Sequence, residues 1–458
     1  MTSNLRVLDS ALLSEAAYAE FLQSNGQLKP SLRQALLDND WSATQADEFL
    51  KQYRVVSQQP NTATGFSATL FEKLIDGVPT GQFVLANRGT EPLTIDLAMD
   101  IGELVADGLA YSQIVDMYNY WKRLTALPGQ TYQKAQLVTI PDQPNLVPGT
   151  YIRDTGSSFV HRIQFVAASD GLGAVAAGVP LEVVGHSLGG HLASAFTRLF
   201  VGAASRAYTI NGAGYAEILG NANINYVFAA LGGGDWFSAA DVQNFYGSAG
   251  PAIVTQNAPN GLVQVGASDM IFIERGGLLP GNPVANAAAV FGHSATQMTD
   301  SASVYDLLIR LDARSSATPT QFLPLMLPLF EVAANTTGRS LEGMVETLAR
   351  LFRVDGSTIL EDSREALHSR IKLIKDSAAF QSLAGKVRID PSSADLRANA
   401  RNDFSALASL LTLSPITLSA TNAANQLVLD AALAQAWGTT HSNWLTDRSM
   451  SLADRQAG

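Results

Sequence analysis

Apolar residues recur every three or four positions along the first fifty residues of the chain. This spacing predicts short helices between residues 5 and 53, because it places the apolar side chains on one face of a helix. The residues that carry the pattern are Leu8, Leu12, Leu13, Ala16, Tyr18, Phe21, Leu32, Leu36 and Phe49. Beyond residue 315 helical spacing returns with few strand-like runs, and it predicts helices over residues 322–334, 340–352, 363–384, 394–413 and 423–437.

Short apolar runs alternate with helical patterns in the middle of the chain. They predict strands over residues 82–86, 181–184, 207–210, 225–228, 242–246 and 270–273. A long helical pattern spans residues 95–124, another helix follows His293, and the Gly- and Pro-rich stretch 145–165 predicts a hairpin or surface excursion. This alternation is typical of α/β proteins with a mostly parallel sheet. We expect an α/β domain over residues 1–314, with a helical N-terminal segment, and a mainly helical region over residues 315–458.

Composition narrows the class of protein. Hydrophobic residues make up 47% of the 458 positions and charged residues 16%, which is typical of a folded chain with a large core. The net charge of −11 argues against a nucleic-acid partner, since phosphate binding needs clustered Lys and Arg. The chain has no cysteine, which excludes disulfides, thiolate metal sites and cysteine nucleophiles. No apolar stretch is long enough to span a bilayer, and the first residues lack the pattern of a cleaved export signal.

The segment Gly185-His186-Ser187-Leu188-Gly189 fits the G-x-S-x-G pattern of a nucleophile elbow. It follows a predicted strand and precedes an apolar helix, which is the context that such an elbow requires. The flanking glycines leave room for a sharp turn, and the helix N-terminus favours negative charge beside the serine. We predict that Ser187 is a nucleophile, against the alternative of a buried serine in a Gly-rich turn.

Together with Asn87-Arg88-Gly89-Thr90, residues 185–190 resemble the fungal-type class 3 lipases and their bacterial relatives. These relatives include the lipase domains of calcium-repeat (RTX-type) secreted proteins, and the resemblance covers about residues 60–310. It implies an α/β-hydrolase fold, hydrolysis of carboxylic esters, and an oxyanion hole formed by Thr90 and the backbone N–H of Leu188. Taken alone, a strand-end Arg-Gly-Thr is equally consistent with a structural turn.

A serine hydroxyl needs an imidazole to take its proton, and the chain has six histidines. In the hydrolase chain order the base lies after the nucleophile and the acid. His293 follows a long loop with Gly and Pro, precedes a predicted helix, and resembles the His-Ser segment of the lipase family. The others precede the serine or fall in helical patterns: His161, His186, His191, His368 and His441. We predict that His293 is the general base, against the alternative of an ordinary loop histidine.

The third catalytic residue is expected to be a carboxylate that leaves the end of a strand after the elbow. Asp235 fits this place, because it follows the predicted strand 225–228 and a Gly-rich loop that is similar to the acid segment of the lipase family. The three glycines before it depart from the family pattern. Glu274, at the end of the predicted strand 270–273, and Asp241 stay open as alternatives, and each of the three is otherwise a solvated or capping carboxylate.

The sequence therefore predicts a serine ester hydrolase, a lipase or esterase that requires no cofactor and no metal. Its expected partners are an ester or lipid substrate and, transiently, a lipid interface. Two alternatives stay open: a non-catalytic hydrolase-fold module of a larger secreted protein, and a polyester hydrolase or acyltransferase. The calcium-binding nonapeptide pattern is absent from the sequence. Secretion without a classical N-terminal signal is expected, with a cytoplasmic location as the alternative.

Overall fold

A computed structural model describes most of the chain, which forms two compact units. The described residues are 6–90, 108–154, 156–176, 178–216, 222–248, 262–273, 293–316, 321–322, 324–330, 340–354 and 363–457. One unit, here called the sheet unit, contains Asp9–Trp41 and Ala46–Thr299. The other, the helical unit, contains Met1–Leu8, Ser42–Gln45 and Asp300–Gly458.

Twelve of the strands in the described residues precede the helical C-terminal part. They are β1 Tyr53–Gln59, β2 Ala68–Ile75, β3 Val78–Asn87, β4 Tyr132–Pro141, β5 Ile152–Arg153, β6 Phe159–Ala168, β7 Leu181–His186, β8 Ala204–Ile210, β9 Tyr215–Ala216, β10 Val242–Gly247, β11 Leu262–Val263 and β12 Ala267–Ile271. The helices of this part are α1 Arg6–Ala16, α2 Leu32–Leu37, α3 Ala43–Gln52, α4 Tyr111–Thr125, α5 Leu188–Leu199 and α6 Ala222–Ala230.

A seven-stranded sheet forms the centre of the sheet unit, in the order β1-β2-β3-β7-β8-β10-β12. The pairings from β3 to β12 are parallel, whereas β1, β2 and β3 pair antiparallel. The protein is therefore a mixed α/β protein with a mostly parallel central sheet, and this part of the predicted fold class is confirmed. The strands predicted at 82–86, 181–184, 207–210 and 242–246 correspond to β3, β7, β8 and β10.

Helices α4 and α5 share an apolar core with the central strands. Strand β7 contributes Leu181 and Val183, and α5 contributes Phe196, whose ring centroid lies 5.1 Å from that of Trp121 in α4. Every residue of α5 is buried. Because this helix is enclosed and begins directly after Ser187, the core fixes the position of the turn that carries the serine.

The segment predicted as a hairpin or surface excursion belongs to a separate antiparallel sheet, ordered β4-β6-β5. Strands β4 and β6 pair over ten residues, from Tyr132 opposite Ala168 to Pro141 opposite Phe159. The strand β4 thus begins before the predicted segment 145–165. The helical pattern predicted at 95–124 corresponds in its described part to α4, and residues 91–107 lie outside the described residues.

The predicted strand at 225–228 is wrong, because these residues belong to helix α6. The buried residues of this helix, Ile224, Val227 and Phe228, follow helical spacing. A short, mainly apolar run of four residues fits a strand and a buried helix equally well, so the pattern alone did not separate them. The strand predicted at 270–273 overlaps β12, which begins earlier, at Ala267.

The C-terminal part of the helical unit begins at Asp300, earlier than the predicted boundary after residue 314, and the unit also contains Met1–Leu8 and Ser42–Gln45 from the N-terminal segment. Helix α7 (Ala295–Leu311) supplies the reason, because its buried Asp300 is hydrogen-bonded to Arg364 and His368 and its buried Asp306 to Lys375. The other helices are α8 Ser340–Leu351, α9 Arg364–Asp376, α10 Ala378–Leu383, α11 Leu396–Asn399, α12 Phe404–Leu411, α13 Ala423–Trp437 and α14 Thr439–Ala457.

These helices agree with the helical character predicted for the region, although 323 and 331–334 of the predicted helix 322–334 lie outside the described residues. An antiparallel strand pair was not predicted: β13 Val387–Pro391 and β14 Ile416–Ala420. Over the described ranges, no helix is both long enough and apolar enough to cross a membrane.

Candidate active site

Ser187 lies at the corner where β7 ends and α5 begins. Its backbone has φ 55° and ψ −123°, a conformation that costs about 1–3 kcal/mol for a residue other than glycine. The neighbouring glycines explain how the chain turns here. A Cβ on Gly185 would lie 2.1 Å from the Gly189 carbonyl oxygen, and one on Gly189 would lie 2.2 Å from that of Asn87. Neither position accepts a side chain, so the predicted elbow has the backbone that its glycines indicated.

The end of β3 lies against the same corner. A Cβ on Gly89 would meet the Tyr18 hydroxyl at 2.4 Å, the His186 carbonyl oxygen at 2.6 Å and the Ser187 Cβ at 3.2 Å. The next residue, Thr90, has a buried hydroxyl oxygen with no hydrogen-bond partner among the described residues. The structure therefore brings the predicted Arg-Gly-Thr turn beside the serine, with a free hydroxyl on it.

Leu188 is the first residue of α5, directly after Ser187. The first N–H groups of a helix have no intrahelical acceptor, and they carry the positive end of the helix dipole. The backbone N–H of Leu188 is therefore a hydrogen-bond donor at the corner, and its role in an oxyanion hole stays a prediction. Leu188 itself is buried, packed with Ala110, Ala213 and Leu262.

His293 lies beside Ser187, although 106 positions separate them in the chain. The His293 Nε2 is 2.8 Å from the Ser187 Oγ, and both residues are buried. Burial, together with a smaller contribution from the nearby His186 ring, lowers the pKa of His293 to about 3. The imidazole is therefore neutral near pH 7, and in the tautomer with its proton on Nδ1 the Nε2 accepts a hydrogen bond from the serine hydroxyl. This is the geometry that a general base needs.

A second histidine, His186, contacts the main chain of His293. Its Nε2 donates to the backbone carbonyl oxygen of His293, and its Nδ1 lies 2.8 Å from the Tyr18 hydroxyl. His186 was not predicted to be the base, because it precedes the serine in the chain. Its position as the variable residue of G-x-S-x-G was the available signal that it lies at the site.

The structure does not bring Asp235 to His293, so this prediction of the acid is wrong. The backbone carbonyl of Asp235 accepts a hydrogen bond of 2.7 Å from Arg198, which lies in the last turn of α5. Eleven residues separate Ser187 from Arg198 (187 to 198), which corresponds to about 16 Å along a helix. Asp235 is exposed, and it lies at the end of α5 far from Ser187.

Asp241 lies at the wrong edge of the sheet as well. It ends a short 3-10 turn directly before Val242, the first residue of β10, whereas Ser187 follows the last residue of β7. Strands β7, β8 and β10 are parallel, so their first residues lie at the edge opposite Ser187. The prediction of Asp241 as the acid is therefore also wrong. Glu274 lies outside the described residues.

Among the described residues, no carboxylate hydrogen-bonds to the His293 ring. The residues that follow β8 and β10 are Asn211 and Ser248. Asp269 of β12 is in register with His186 across the sheet, because His186 pairs with Ile210, Ile210 with Phe245, and Phe245 with Asp269. Three strand spacings of about 4.8 Å separate Asp269 from His186, which is about 14 Å.

The described part of the chain has no group of three or more His, Cys, Asp or Glu side chains that could hold a metal ion. The polar groups at the corner include the hydroxyls of Ser187, Thr90 and Tyr18 and the neutral imidazoles of His186 and His293. Such groups suit proton transfer and the binding of a polarised carbonyl oxygen. No protein-family model matches the chain, and no curated protein matches it.

Proposed function

We propose that this chain is a serine hydrolase with an α/β-hydrolase fold, which cleaves carboxylic esters through an acyl-enzyme on Ser187. The observation that supports this proposal is the 2.8 Å contact between the Ser187 Oγ and the His293 Nε2 at a strand-to-helix corner. A serine hydroxyl is a poor nucleophile at neutral pH, and a neutral imidazole within hydrogen-bond distance is the group that activates it. The parallel sheet and the strained turn at Ser187 are typical of this class.

In the proposed reaction, His293 takes the proton from Ser187 as the Oγ attacks the ester carbonyl carbon. The carbonyl π electrons move to oxygen and form a tetrahedral oxyanion. When this intermediate collapses, the bond to the leaving alkoxide breaks and His293 gives its proton to the departing oxygen, which leaves an acyl group on Ser187. A water molecule then repeats the sequence, with His293 as base, and releases the carboxylic acid.

Two donors at the corner are suited to the oxyanion. The Leu188 N–H points out of the first turn of α5, and the Thr90 hydroxyl belongs to the turn that lies against the Ser187 Cβ. A buried hydroxyl without a partner costs about 1–3 kcal/mol. That cost is recovered when a substrate oxygen becomes its acceptor, which supports Thr90 as an oxyanion donor.

Lipid esters are the proposed substrate class, from the resemblance of residues 87–90 and 185–190 to lipases. A polyester hydrolase or an acyltransferase has the same reacting groups and differs in the acyl acceptor and the groove. A non-catalytic module with this fold is the second candidate, because no carboxylate among the described residues contacts the His293 ring. Activity on p-nitrophenyl esters of different acyl length, with water or an added alcohol as acceptor, separates these classes.

A fluorophosphonate probe tests the central claim, because it reacts with activated serines. We expect it to label the wild-type chain at Ser187 and to leave Ser187→Ala unlabelled, with loss of p-nitrophenyl ester hydrolysis. Ser194→Ala is the matched control. Ser194 is a buried serine on the same helix whose hydroxyl bonds to the Gly190 and His191 carbonyls and the Tyr215 hydroxyl, away from His293. Absence of labelling in the folded wild type would favour the non-catalytic module.

A further inference from the structure

Tyr18, His186 and His293 form an array of hydrogen bonds in which each donor points toward His293, the candidate base. A carbonyl oxygen only accepts, so the His186 Nε2 carries the proton of the bond to the His293 carbonyl. Burial lowers the pKa of His186 to about 4, so its ring is neutral near pH 7 and its Nδ1 is an acceptor. The Tyr18 hydroxyl donates to that Nδ1 at 2.8 Å. Tyr18 thus fixes the tautomer that allows His186 to hold the His293 main chain.

The array is anchored on the central sheet. His186 is the last residue of β7, is paired in register with Ile210 of β8, and is 1% exposed. Its ring centroid lies 4.9 Å from that of His293 and 5.9 Å from that of Tyr18. Since Ser187 is the next residue in the chain, a bond from His186 to the His293 carbonyl sets the base main chain relative to the nucleophile.

The hydrogen bond from His186 is important for the position of His293, because His293 has few other hydrogen bonds in the described part of the chain. Its ring bonds to Ser187 and its carbonyl accepts from His186. The first bond changes as the proton moves during catalysis, whereas the second involves no reacting atom. A serine hydrolase usually orients its base with a carboxylate on the other ring nitrogen. A displacement of about 1 Å at such a site can lower the rate about 100-fold.

We propose that His186, with its ring held by Tyr18, is a positioning residue that sets the distance between His293 and Ser187. This inference rests on the proposed function of the site. His186 acts through the main chain of His293 and exchanges no proton with the substrate. The Tyr18 hydroxyl also lies against Gly89, so the same group supports the turn that carries Thr90.

Two substitutions of His186 separate a positioning role from simple burial. In His186→Gln the side-chain amide nitrogen replaces the Nε2 donor, and in His186→Met a side chain of similar length has no donor. We expect His186→Met to lower kcat about 100-fold with KM within about twofold, because the loss falls on the reacting geometry and not on substrate binding. His186→Gln should recover kcat to within about tenfold of wild type. Tyr18→Phe, which keeps the ring, should lower kcat about tenfold.

Tyr215→Phe is the matched control for Tyr18→Phe. The buried Tyr215 hydroxyl donates to the His191 carbonyl at 2.6 Å and has no bond to Ser187, His186 or His293. We expect this variant to lose thermal stability while kcat stays within about twofold of wild type. The positioning role is overturned if His186→Met and Tyr18→Phe lower kcat no more than the control does, or if His186→Gln is as slow as His186→Met.

An NMR measurement decides the same question without turnover. Labelling the six histidines with ¹⁵N reports the state of each imidazole in the intact chain. We expect the His293 ring signals to shift or broaden in His186→Met and Tyr18→Phe and to stay unchanged in Tyr215→Phe. Unchanged His293 signals in the first two variants overturn the proposal. A wild type that neither turns over esters nor reacts with the probe refutes the proposed function, and the histidine signals still decide the positioning role.

Discussion

Ser187 occupies a backbone conformation that side chains rarely adopt, with φ at 55°. Its hydroxyl lies 2.8 Å from the His293 Nε2, and its Cβ lies against the turn that follows β3. Its position depends on how closely three backbone segments approach at the corner: the end of β7, the start of α5 and the turn at Gly89. At the scale of single residues, the position of the serine hydroxyl therefore depends on the absence of side chains around it.

Gly89→Ala tests this dependence. The added Cβ would lie 2.4 Å from the Tyr18 hydroxyl and 2.6 Å from the His186 carbonyl oxygen, so the Thr90 turn must move away from Ser187. We expect kcat/KM to fall about 100-fold, since the oxyanion donor and the nucleophile lose their relative position. The free energy of unfolding, measured in urea, should fall by about 1–3 kcal/mol from overpacking.

Gly234→Ala is the control for this substitution. A Cβ on Gly234 would meet its nearest neighbour, the Val201 side chain, at 3.5 Å, which is ordinary contact. Its kcat/KM should equal that of wild type. Wild-type kcat/KM in Gly89→Ala would contradict the packing of the corner described above.

At the scale of elements, polar side chains join the strands beyond the elbow. The Thr209 hydroxyl of β8 donates to the Asn244 side-chain oxygen of β10 at 2.6 Å. The Asn244 amide nitrogen donates in turn to the carbonyl oxygens of Val265, at 2.7 Å, and Ala267, at 3.0 Å, beside β12. Both polar side chains are buried. Asn244 therefore connects three neighbouring strands of the sheet through one amide group.

Asn244→Leu should destabilise the protein more than Thr209→Val does. The first substitution removes the acceptor of the Thr209 hydroxyl and the donor to the Val265 and Ala267 carbonyls, whereas the second removes one hydroxyl donor. We expect losses in the free energy of unfolding of about 3 kcal/mol and about 1 kcal/mol respectively, measured by urea denaturation. Equal losses in the two variants would show that the amide does not join the strands.

The turn at Ser187 could be predicted from sequence, because its backbone has no room for a side chain at Gly185 or Gly189. The two glycines are therefore visible as a motif. The pairing of Ser187 with His293 was predicted from the hydrolase chain order and from the resemblance of the His293 segment to lipases, and the two side chains lie 2.8 Å apart. The acid could not be located in this way. Residues 225–228 are an asparagine followed by three apolar residues, a run too short to separate strand from helix, and assigning them to a strand placed Asp235 at the wrong edge of the sheet.

The strand pair β13 and β14 was missed for a related reason. Val387 and Ile389 are the buried apolar positions of one strand, and Ile416 and Leu418 those of the other. Two alternating positions are too few to establish a period of two inside a region dominated by helical spacing. Pairing across the chain, from Val387 opposite Ala420 to Pro391 opposite Ile416, specifies these strands, and the local sequence does not show it.

At the scale of the whole molecule, acidic residues outnumber basic ones and give a net charge of −11. Some of the carboxylates are nevertheless buried and paired with basic side chains. Burial alone would raise the pKa of Asp300, but the hydrogen bond from His368 and the charge of Arg364 outweigh it and lower this pKa. Asp306 behaves similarly beside Lys375 and Arg310. A carboxyl whose folded pKa lies below its unfolded value stabilises the fold above that unfolded value, and the contribution is lost as pH falls through the folded pKa.

Asp300→Asn should therefore flatten the dependence of stability on pH. We expect wild type to lose free energy of unfolding as pH falls from about 5 to 2, and the variant to begin less stable at pH 7 and to lose less over the same window. Urea unfolding at a series of pH values measures both slopes. Asp235→Asn, at an exposed carboxylate, should follow the wild-type curve. Parallel curves for wild type and Asp300→Asn would contradict the pairing.

The glycines at the corner limit which second mutations can compensate for a substitution there. A clash between two side chains can be relieved by a second mutation that shrinks the neighbour. At Gly185, Gly189 and Gly190 the nearest atom to an added Cβ belongs to the main chain, the last being the Gly212 Cα at 2.6 Å. No codon change removes a backbone atom. In a suppressor screen, inactive alleles at these three positions should regain function by true reversion to glycine, without compensating alleles elsewhere.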